Sequence, residues 1–197
     1  MNHLVIYSHP YQESFNYGIK ETYVAELERA GHDVRIRDLY AEGFDPVLSA
    51  RDLEMAQHGE YADDVKAEQD HVRWADVLTM ICPIWWGGLT SNLRGYIDRV
   101  FNSGFAYAYT AGGLQKLLTG KQCVLINTMG APYEVYEKMG MIKSMTQTID
   151  ECMSDFCGIE VVEHFYFGNV GGCTQEDREQ MLEKVRSLAK GFGIENE

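Results

Sequence analysis

The residue types best suited to chemistry lie in one short stretch, residues 82–88, which read CPIWWGG. An apolar run at 77–81 precedes this stretch and a helical pattern at 93–101 follows it, as in a strand-turn-helix unit. In open α/β sheets, ligands bind at such turns. A flat aromatic ligand would explain two adjacent tryptophans, and Gly87 and Gly88 would let the backbone approach its plane. The other interpretation is that the tryptophans cap the sheet and the glycines only make the turn.

Length, composition and charge limit the class of protein. The chain of 197 residues fits a single domain, 1–197, and its 45% hydrophobic content is typical of a globular protein. A formal charge of −13 argues against nucleic acid or an anionic membrane surface as a partner. It leaves room for a small anionic ligand, because a helix N-terminus binds one without net positive charge.

The N-terminal residues and the cysteines indicate a cytoplasmic protein. The apolar run at 4–7 is too short for a signal peptide, and no run reaches the ~18 apolar residues of a transmembrane helix. The five cysteines form no CxxC pair and are odd in number, which is typical of reduced thiols. The histidines do not cluster with them, so we expect no metal site.

Hydrophobic patterns predict five strands that alternate with helices. The strands are predicted at 4–8, 33–39, 75–83, 121–128 and 160–167, and the helices at 14–30, from 49, and at 60–74, 92–102, 138–156 and 174–189. The second strand alternates polar and apolar residues, which favours an edge position. The order of elements predicts an α/β fold: a flavodoxin-like, doubly wound, five-stranded parallel sheet in the order 2-1-3-4-5, with helices on both faces.

Three loops would meet at one edge of this sheet: residues 9–16, 83–88 and 127–136. The first loop has neither GxGxxG nor a P-loop pattern. Ser14, Asn16, the backbone N–H groups of a helix start and nearby His9 would suit a phosphate. The other interpretation of Ser14 is that it only caps the helix.

Together the three loops suggest a planar cofactor that carries a phosphate, such as a flavin mononucleotide moiety. The phosphate would lie on the first loop, the ring against the second, and the ring edge at the third. We expect backbone N–H groups of Gly87, Met129 and Gly130 to donate to the ring and to favour its reduced form.

Several motifs in the same order resemble those of a known family. Residues 8–10 (SHP), 14–16 (SFN), 83–87 (PIWWG), 95–101 (GYIDRVF) and 104–109 (GFAYAY) look like the NAD(P)H:quinone oxidoreductases, the DT-diaphorase-like branch of the flavodoxin-like fold. The resemblance spans nearly the whole chain. It implies a homodimer with active sites at the interface and a tightly bound FAD (or FMN). It also implies two-electron reduction of a small-molecule quinone, or another planar electrophile, by NAD(P)H.

The resemblance also assigns roles to individual residues. It places the flavin phosphates and ribityl chain at His9, Ser14, Phe15 and Asn16, the ring along Pro83, Ile84, Trp85, Trp86 and Gly87, and the pyrimidine edge at Thr128, Gly130 and Ala131. The substrate pocket would be lined by Trp86 and by Tyr107 and Tyr109 reaching across the dimer.

The sequence departs from the family pattern after the third loop. Mammalian members have a tyrosine and a histidine there, which stabilise charge on the flavin. Here Tyr133 and Tyr136 are candidates for the tyrosine, residues 137–142 contain no histidine, and His164 on the fifth strand is interpreted as structural. The catalytic group would then be one tyrosine with the Gly130 backbone. For the adenine half of an FAD, the candidates are Lys184, Arg186 and Lys190 on the last helix.

Two other functions compete with the reductase. A flavodoxin-type electron carrier would use the −13 charge to dock on basic partners. A regulatory flavoprotein subunit of the potassium-efflux type is also related to this family. The reductase is favoured because Trp85, Trp86 and the tyrosine segment build a stacking site that a carrier does not need. The choices of FAD or FMN, NADH or NADPH, and quinone, azo dye or nitroaromatic remain open.

Overall fold

A computed structural model describes residues 1–192 of the chain, in which five parallel strands form one sheet. They are β1 (Asn2–Tyr7), β2 (Asp33–Asp38), β3 (Val77–Pro83), β6 (Gln122–Thr128) and β7 (Glu160–Phe167), in the order β2-β1-β3-β6-β7. This order confirms the predicted flavodoxin-like topology, and β2 lies at an edge as its alternating pattern indicated.

Helices cover both faces of the sheet and bury its three inner strands, β1, β3 and β6. They are α1 (Phe15–Arg29), α2 (Ala50–Gln57), α3 (Asp63–Trp74), α4 (Ser91–Val100), α5 (Tyr133–Lys138), α6 (Met141–Thr146) and α7 (Gln175–Gly191). Side chains of α1 and α7 pack on one face, and those of α3, α4 and α6 on the other. All seven residues of β3 are buried, as expected for a central strand covered on both sides.

The segment after β6 differs from the single helix predicted at 138–156. It consists of α5, α6 and a π-helix at Gln147–Asp155. Gly140 separates α5 from α6 because it takes a left-handed conformation, with φ of 75°, which is open to glycine but unfavourable inside a helix. The apolar spacing continues across this break, so the pattern alone does not show it.

A second, two-stranded sheet was not predicted as such. The aromatic and small residues at 105–109 lead into β4 (Tyr107–Thr110), which pairs antiparallel with β5 (Gly113–Lys116). The resulting hairpin lies outside the main sheet. Within residues 1–192, none of the helices is both long and apolar enough to cross a membrane.

Two helical glycines should respond in opposite ways to the same substitution. A Cβ at Gly95 would overlap the Pro46 carbonyl oxygen, so we expect Gly95→Ala to lower the free energy of unfolding by about 3 kcal/mol. A Cβ at Gly18 meets nothing within 4 Å, so Gly18→Ala should raise it by about 0.5–1 kcal/mol. Urea unfolding of both variants measures the difference, and equal effects would contradict the close contact of α4 with the Pro46 loop.

His3 is a buried histidine that has no hydrogen-bond partner among residues 1–192. Neither ring nitrogen is bonded, the side chain is fully buried, and its ring lies 4.9 Å edge-on from that of Phe192. Burial, helped by His32, lowers the pKa of His3 to about 4. His3 is therefore neutral in the folded protein at neutral pH.

This burial predicts acid sensitivity. Between about pH 6.5 and 4 the unfolded chain protonates His3 while the folded chain does not, so the free energy of unfolding should fall as the pH is lowered through that window. The loss from this residue is up to about 3 kcal/mol. His3→Phe should reduce the slope by about one proton in urea unfolding at a series of pH values. The control, His58→Gln at an exposed position, should keep the wild-type slope.

Candidate functional site

A cleft of about 620 Å³ opens at the carboxyl edge of the sheet. It is formed by the loops after β1, β3 and β6, which converge as the fold requires. Its walls consist of His9, Ser14, Phe15, Asn16, Pro83, Ile84, Trp85, Trp86, Thr128, Met129, Gly130, Ala131, Tyr136, Val170, Gly171 and Arg178. No carboxylate is among these described lining residues.

The first wall is the start of α1. Ser14 is the N-cap of this helix, and its Oγ accepts a hydrogen bond from Tyr17 N–H at 3.2 Å. The N–H groups of Phe15 and Asn16 have no acceptor within residues 1–192. No acidic residue lies in the first turn of α1, so the positive end of the helix dipole faces the cleft without compensation. This end of the cleft can hold an anion while Ser14 also caps the helix.

Asn16 leaves a buried acceptor without a partner. Its Nδ2 donates to Thr128 Oγ1 at 2.8 Å, which fixes the orientation of the amide, while its Oδ1 is buried and unbonded within the described chain. An unsatisfied buried carbonyl costs roughly 1–3 kcal/mol. A hydroxyl group of a bound molecule would satisfy it.

His9 stands at the mouth of the first loop as a neutral side chain. Burial lowers its pKa. Its Nδ1 lies 3.0 Å from Tyr11 N and 3.2 Å from Tyr11 O, so it accepts from the N–H in one tautomer and donates to the carbonyl in the other. The ring lies 5.9 Å from that of Trp85. In either tautomer the neutral imidazole of His9 has one donor and one acceptor nitrogen.

The aromatic loop is a tight two-residue turn. Trp85 and Gly88 exchange backbone hydrogen bonds of 3.0 and 3.1 Å, and the two residues between them have positive φ angles, 54° for Trp86 and 75° for Gly87. This is the pattern of a type I′ turn. A tryptophan in the left-handed region is strained, and Trp86 is also fully exposed. The strained backbone of the turn thus places the Trp86 indole at the cleft and not in the hydrophobic core.

The third loop is fixed by its backbone. Met129 N–H donates to Phe167 O at 2.8 Å, and Met129 O accepts from Val170 N–H. The expectation that Met129 N–H is a free donor was therefore wrong, because the end of β7 takes it. The N–H of Gly130 has no acceptor in the described part of the chain and lines the cleft.

Arg178 on α7 was missed by the sequence analysis, which considered Lys184, Arg186 and Lys190 instead. It is the one cationic side chain among the described lining residues. Its guanidinium donates to Val170 O at 2.6 Å and lies 5.3 Å from the ring of Phe15. Of the residues considered, Arg186 pairs with Glu179 and Glu183 on the helix surface, and Lys184 lines a neighbouring cavity.

The tyrosines are divided between different places. Tyr136 lines the cleft, whereas Tyr133 lines a neighbouring cavity beside β7. Tyr107 and Tyr109 both lie in the β4–β5 hairpin. Tyr107 packs against Phe156 at the end of the π-helix, and Tyr109 is 71% exposed. The cleft of a single chain therefore brings together the residues assigned to the cofactor, except Gly87, and leaves Tyr107 and Tyr109 outside.

Gly87 lines a smaller cavity of about 150 Å³ on the other side of the aromatic loop. A Cβ at this residue would lie 2.8 Å from Met141 Cε. Its positive φ of 75° favours glycine, whereas the flexible end of the Met141 side chain could move away from a Cβ. Gly87 thus shapes the turn from behind, where α6 packs against it.

Comparison with known proteins agrees with this geometry. The family model Flavodoxin_2, described as a flavodoxin-like fold, matches residues 1–189. An uncharacterized NAD(P)H oxidoreductase of Haemophilus influenzae is 35% identical over 184 residues, covering 93% of this chain and 91% of the relative. NAD(P)H dehydrogenase (quinone) 1 of Cavia porcellus is 31% identical, covering 91% of this chain and 72% of the relative.

A solved structure gives the same result. The NAD(P)H:quinone oxidoreductase from Methanothermobacter marburgensis superposes with a TM-score of 0.88 at 25% identity, covering 100% of this chain and 99% of that chain. The resemblance inferred from the motifs is thus confirmed, and the chain belongs to the NAD(P)H:quinone oxidoreductase family of flavodoxin-like proteins.

Proposed function

We propose that this protein is a flavin-dependent NAD(P)H:quinone oxidoreductase. The observation that carries the proposal is the composition of one cleft. An uncompensated helix N-terminus and Arg178 stand near a buried acceptor on Asn16 and the exposed indole of Trp86. An anionic group, a polyol chain and a planar ring in one molecule would satisfy all four features. FAD and FMN both have this composition. Relatives named as an NAD(P)H dehydrogenase (quinone) and an NAD(P)H:quinone oxidoreductase support the proposed activity.

The residues of the cleft would hold the flavin by its parts. Phe15 N–H, Asn16 N–H and Arg178 would bind phosphate, and Asn16 Oδ1 would accept from a ribityl hydroxyl. Trp86 with Pro83 would lie along the ring. A bound flavin supplies the chemistry, because it can accept a hydride from NAD(P)H and pass it to a quinone.

The chain itself supplies electrostatics and shape. Gly130 N–H would donate to the pyrimidine edge, where negative charge develops on reduction. Tyr136 lines the same cleft and is the better placed of the two catalytic tyrosine candidates, since Tyr133 lines the neighbouring cavity. The indoles of Trp85 and Trp86 would keep water from one side of a stacked substrate.

The active protein is proposed to be a cytoplasmic homodimer. Trp86 is fully exposed and Tyr109 is largely exposed in one chain, and aromatic residues of this kind are enriched at interfaces. By the family resemblance, Tyr107 and Tyr109 of one chain would line the pocket of the other. The substrate would then be a small planar quinone held between the flavin and these tyrosines.

Arg178 provides a specific test of flavin binding. Arg178→Gln should weaken FMN binding by about 10- to 100-fold, because it removes a charged hydrogen bond to phosphate worth roughly 1.5–3 kcal/mol. Flavin fluorescence during titration of the apoprotein gives the Kd. Arg186→Gln, on the same helix but paired with Glu179 and Glu183, is the control and should bind FMN like the wild type. Equal affinities for the two variants would place the phosphate elsewhere.

Redox titration tests the activity. The protein loaded with FAD or FMN is mixed anaerobically with NADPH or NADH and then with menadione, and the flavin absorbance is followed. We expect complete bleaching by one equivalent of reduced nicotinamide and full recovery by one equivalent of menadione. Reduction that stops after one electron would favour the electron carrier instead. A protein that takes up neither flavin would exclude the proposal.

A further inference from the structure

A buried hydrogen-bond chain lies below the floor of the cleft and involves His164. The Nδ1 of His164 is 2.8 Å from Asp150 Oδ1 on the π-helix, and its Nε2 is 2.8 Å from Asn127 Oδ1 on β6. Asn127 Nδ2 donates to the carbonyl oxygen of Cys82 on β3 at 3.0 Å. These hydrogen bonds therefore join the π-helix, β7, β6 and β3 through the side chains of Asp150, His164 and Asn127.

The direction of these bonds determines the hydrogens on His164. The carbonyl of Cys82 can only accept, so the Asn127 amide must turn its NH₂ group toward Cys82 and its Oδ1 toward His164. The carboxylate of Asp150 is also an acceptor. His164 thus faces an acceptor at each ring nitrogen, and the chain is complete only when both nitrogens carry a hydrogen. The side chains of His164 and Asp150 are only 7% and 17% exposed, so water does not readily replace either bond.

The last residues of this hydrogen-bond chain, Cys82 and Asn127, lie next to the cleft. Cys82 and Asn127 are cross-strand partners, and the next residues, Pro83 and Thr128, line the cleft. Thr128 Oγ1 accepts from Asn16, whose free Oδ1 we assign to the cofactor. The position of the Asn127 amide therefore affects the two strands that present this part of the site.

Loss of the second hydrogen from His164 would break this arrangement. A neutral imidazole that keeps its hydrogen toward Asp150 presents a lone pair to Asn127 Oδ1, and two acceptors repel each other. If the Asn127 amide turns over to relieve this repulsion, its oxygen faces the carbonyl of Cys82 instead. Either outcome leaves a buried polar group unsatisfied between β3 and β6.

We propose that His164 is a positioning residue that, as an imidazolium, fixes the Asn127 amide and thereby the entry of β3 and β6 into the flavin site. This role rests on the proposed function for its ligand, and it replaces the interpretation of His164 as merely structural. The π-helix supplies Asp150, which balances the charge.

Other ionisable groups surround His164. Glu163, the preceding residue, accepts from His164 N–H at 3.0 Å, and the ring of Tyr166 stacks on the imidazole with centroids 3.9 Å apart. The remaining groups are Cys82 behind Asn127, Cys123 near Asp150, and Tyr133, Glu134, Cys173, Asp177 and Lys184 across the neighbouring cavity. Asp150 is the anion in direct contact with the ring.

The test is the flavin affinity of matched variants. The Kd of FMN is measured at about pH 6 for the wild type, His164→Leu and His164→Gln, with exposed His58→Gln as the control. We expect His164→Leu to bind FMN about tenfold more weakly than the wild type, as for a lost buried hydrogen bond. His164→Gln should regain part of this affinity, because its amide NH₂ can still donate to Asn127 Oδ1.

A second variant and a direct measurement separate positioning from folding. Asp150→Asn keeps the shape but removes the anion, and should weaken FMN binding in the same direction. In the wild-type apoprotein, ¹⁵N NMR at about pH 6 should show hydrogens on both nitrogens of His164. Wild-type affinity in His164→Leu, or a singly protonated ring in this spectrum, would overturn the proposal.

Failure of the proposed function gives a different result. In that case the wild type itself binds neither FMN nor FAD, and the role of His164 at the flavin is lost with it, whereas a failure of the inference alone leaves wild-type binding intact.

Discussion

The site depends on the pairing of parallel strands beyond the strand ends. Ser8 N–H donates to Ile81 O, Ile84 N–H to Thr128 O at 2.8 Å, and Met129 N–H to Phe167 O at 2.8 Å. Each bond continues the ladder by one residue into a loop that lines the cleft. Because a buried peptide group must be paired, these loops cannot shift independently of one another. Three separate segments of the chain are thereby held as one surface at the edge of the sheet.

The same pairing decides which groups remain available for a ligand. Among residues 1–192, the ladder uses the N–H of Met129 and leaves that of Gly130 without an acceptor, and the helical geometry of α1 does the same for the N–H groups of Phe15 and Asn16. Together with the unbonded Oδ1 of Asn16, they are the polar groups that a cofactor would satisfy. The turn at Trp86 is a further feature that a ligand or partner would explain. Its backbone has a strained positive φ, and the indole that it presents is fully exposed in the single chain.

The sequence was sufficient for features that are local or imposed by the sheet. The five parallel strands, the cap at Ser14 and the convergence of three loops follow from hydrophobic patterns, a capping residue and the rule for parallel strands. Features that require two distant segments to meet were not predictable. Arg178 reaches the cleft only because α7 packs beside α1, and Tyr133 and Tyr136 line different cavities although they lie three residues apart on α5. His164 was identified by its position, but its acceptors come from β6 and from a π-helix with no sequence signature.

The acidic composition does not oppose an anionic ligand, because fields act locally in salt solution. Screening reduces the effect of exposed charges beyond about 8 Å at physiological ionic strength. The carboxylates that give the net charge of −13 are absent from the described lining of the cleft, where Arg178 and the start of α1 provide positive potential. A flavin phosphate and a nicotinamide dinucleotide would each meet this local field. The overall charge therefore bears on solubility and on the choice of macromolecular partners, while one guanidinium and one helix end determine what the cleft can hold.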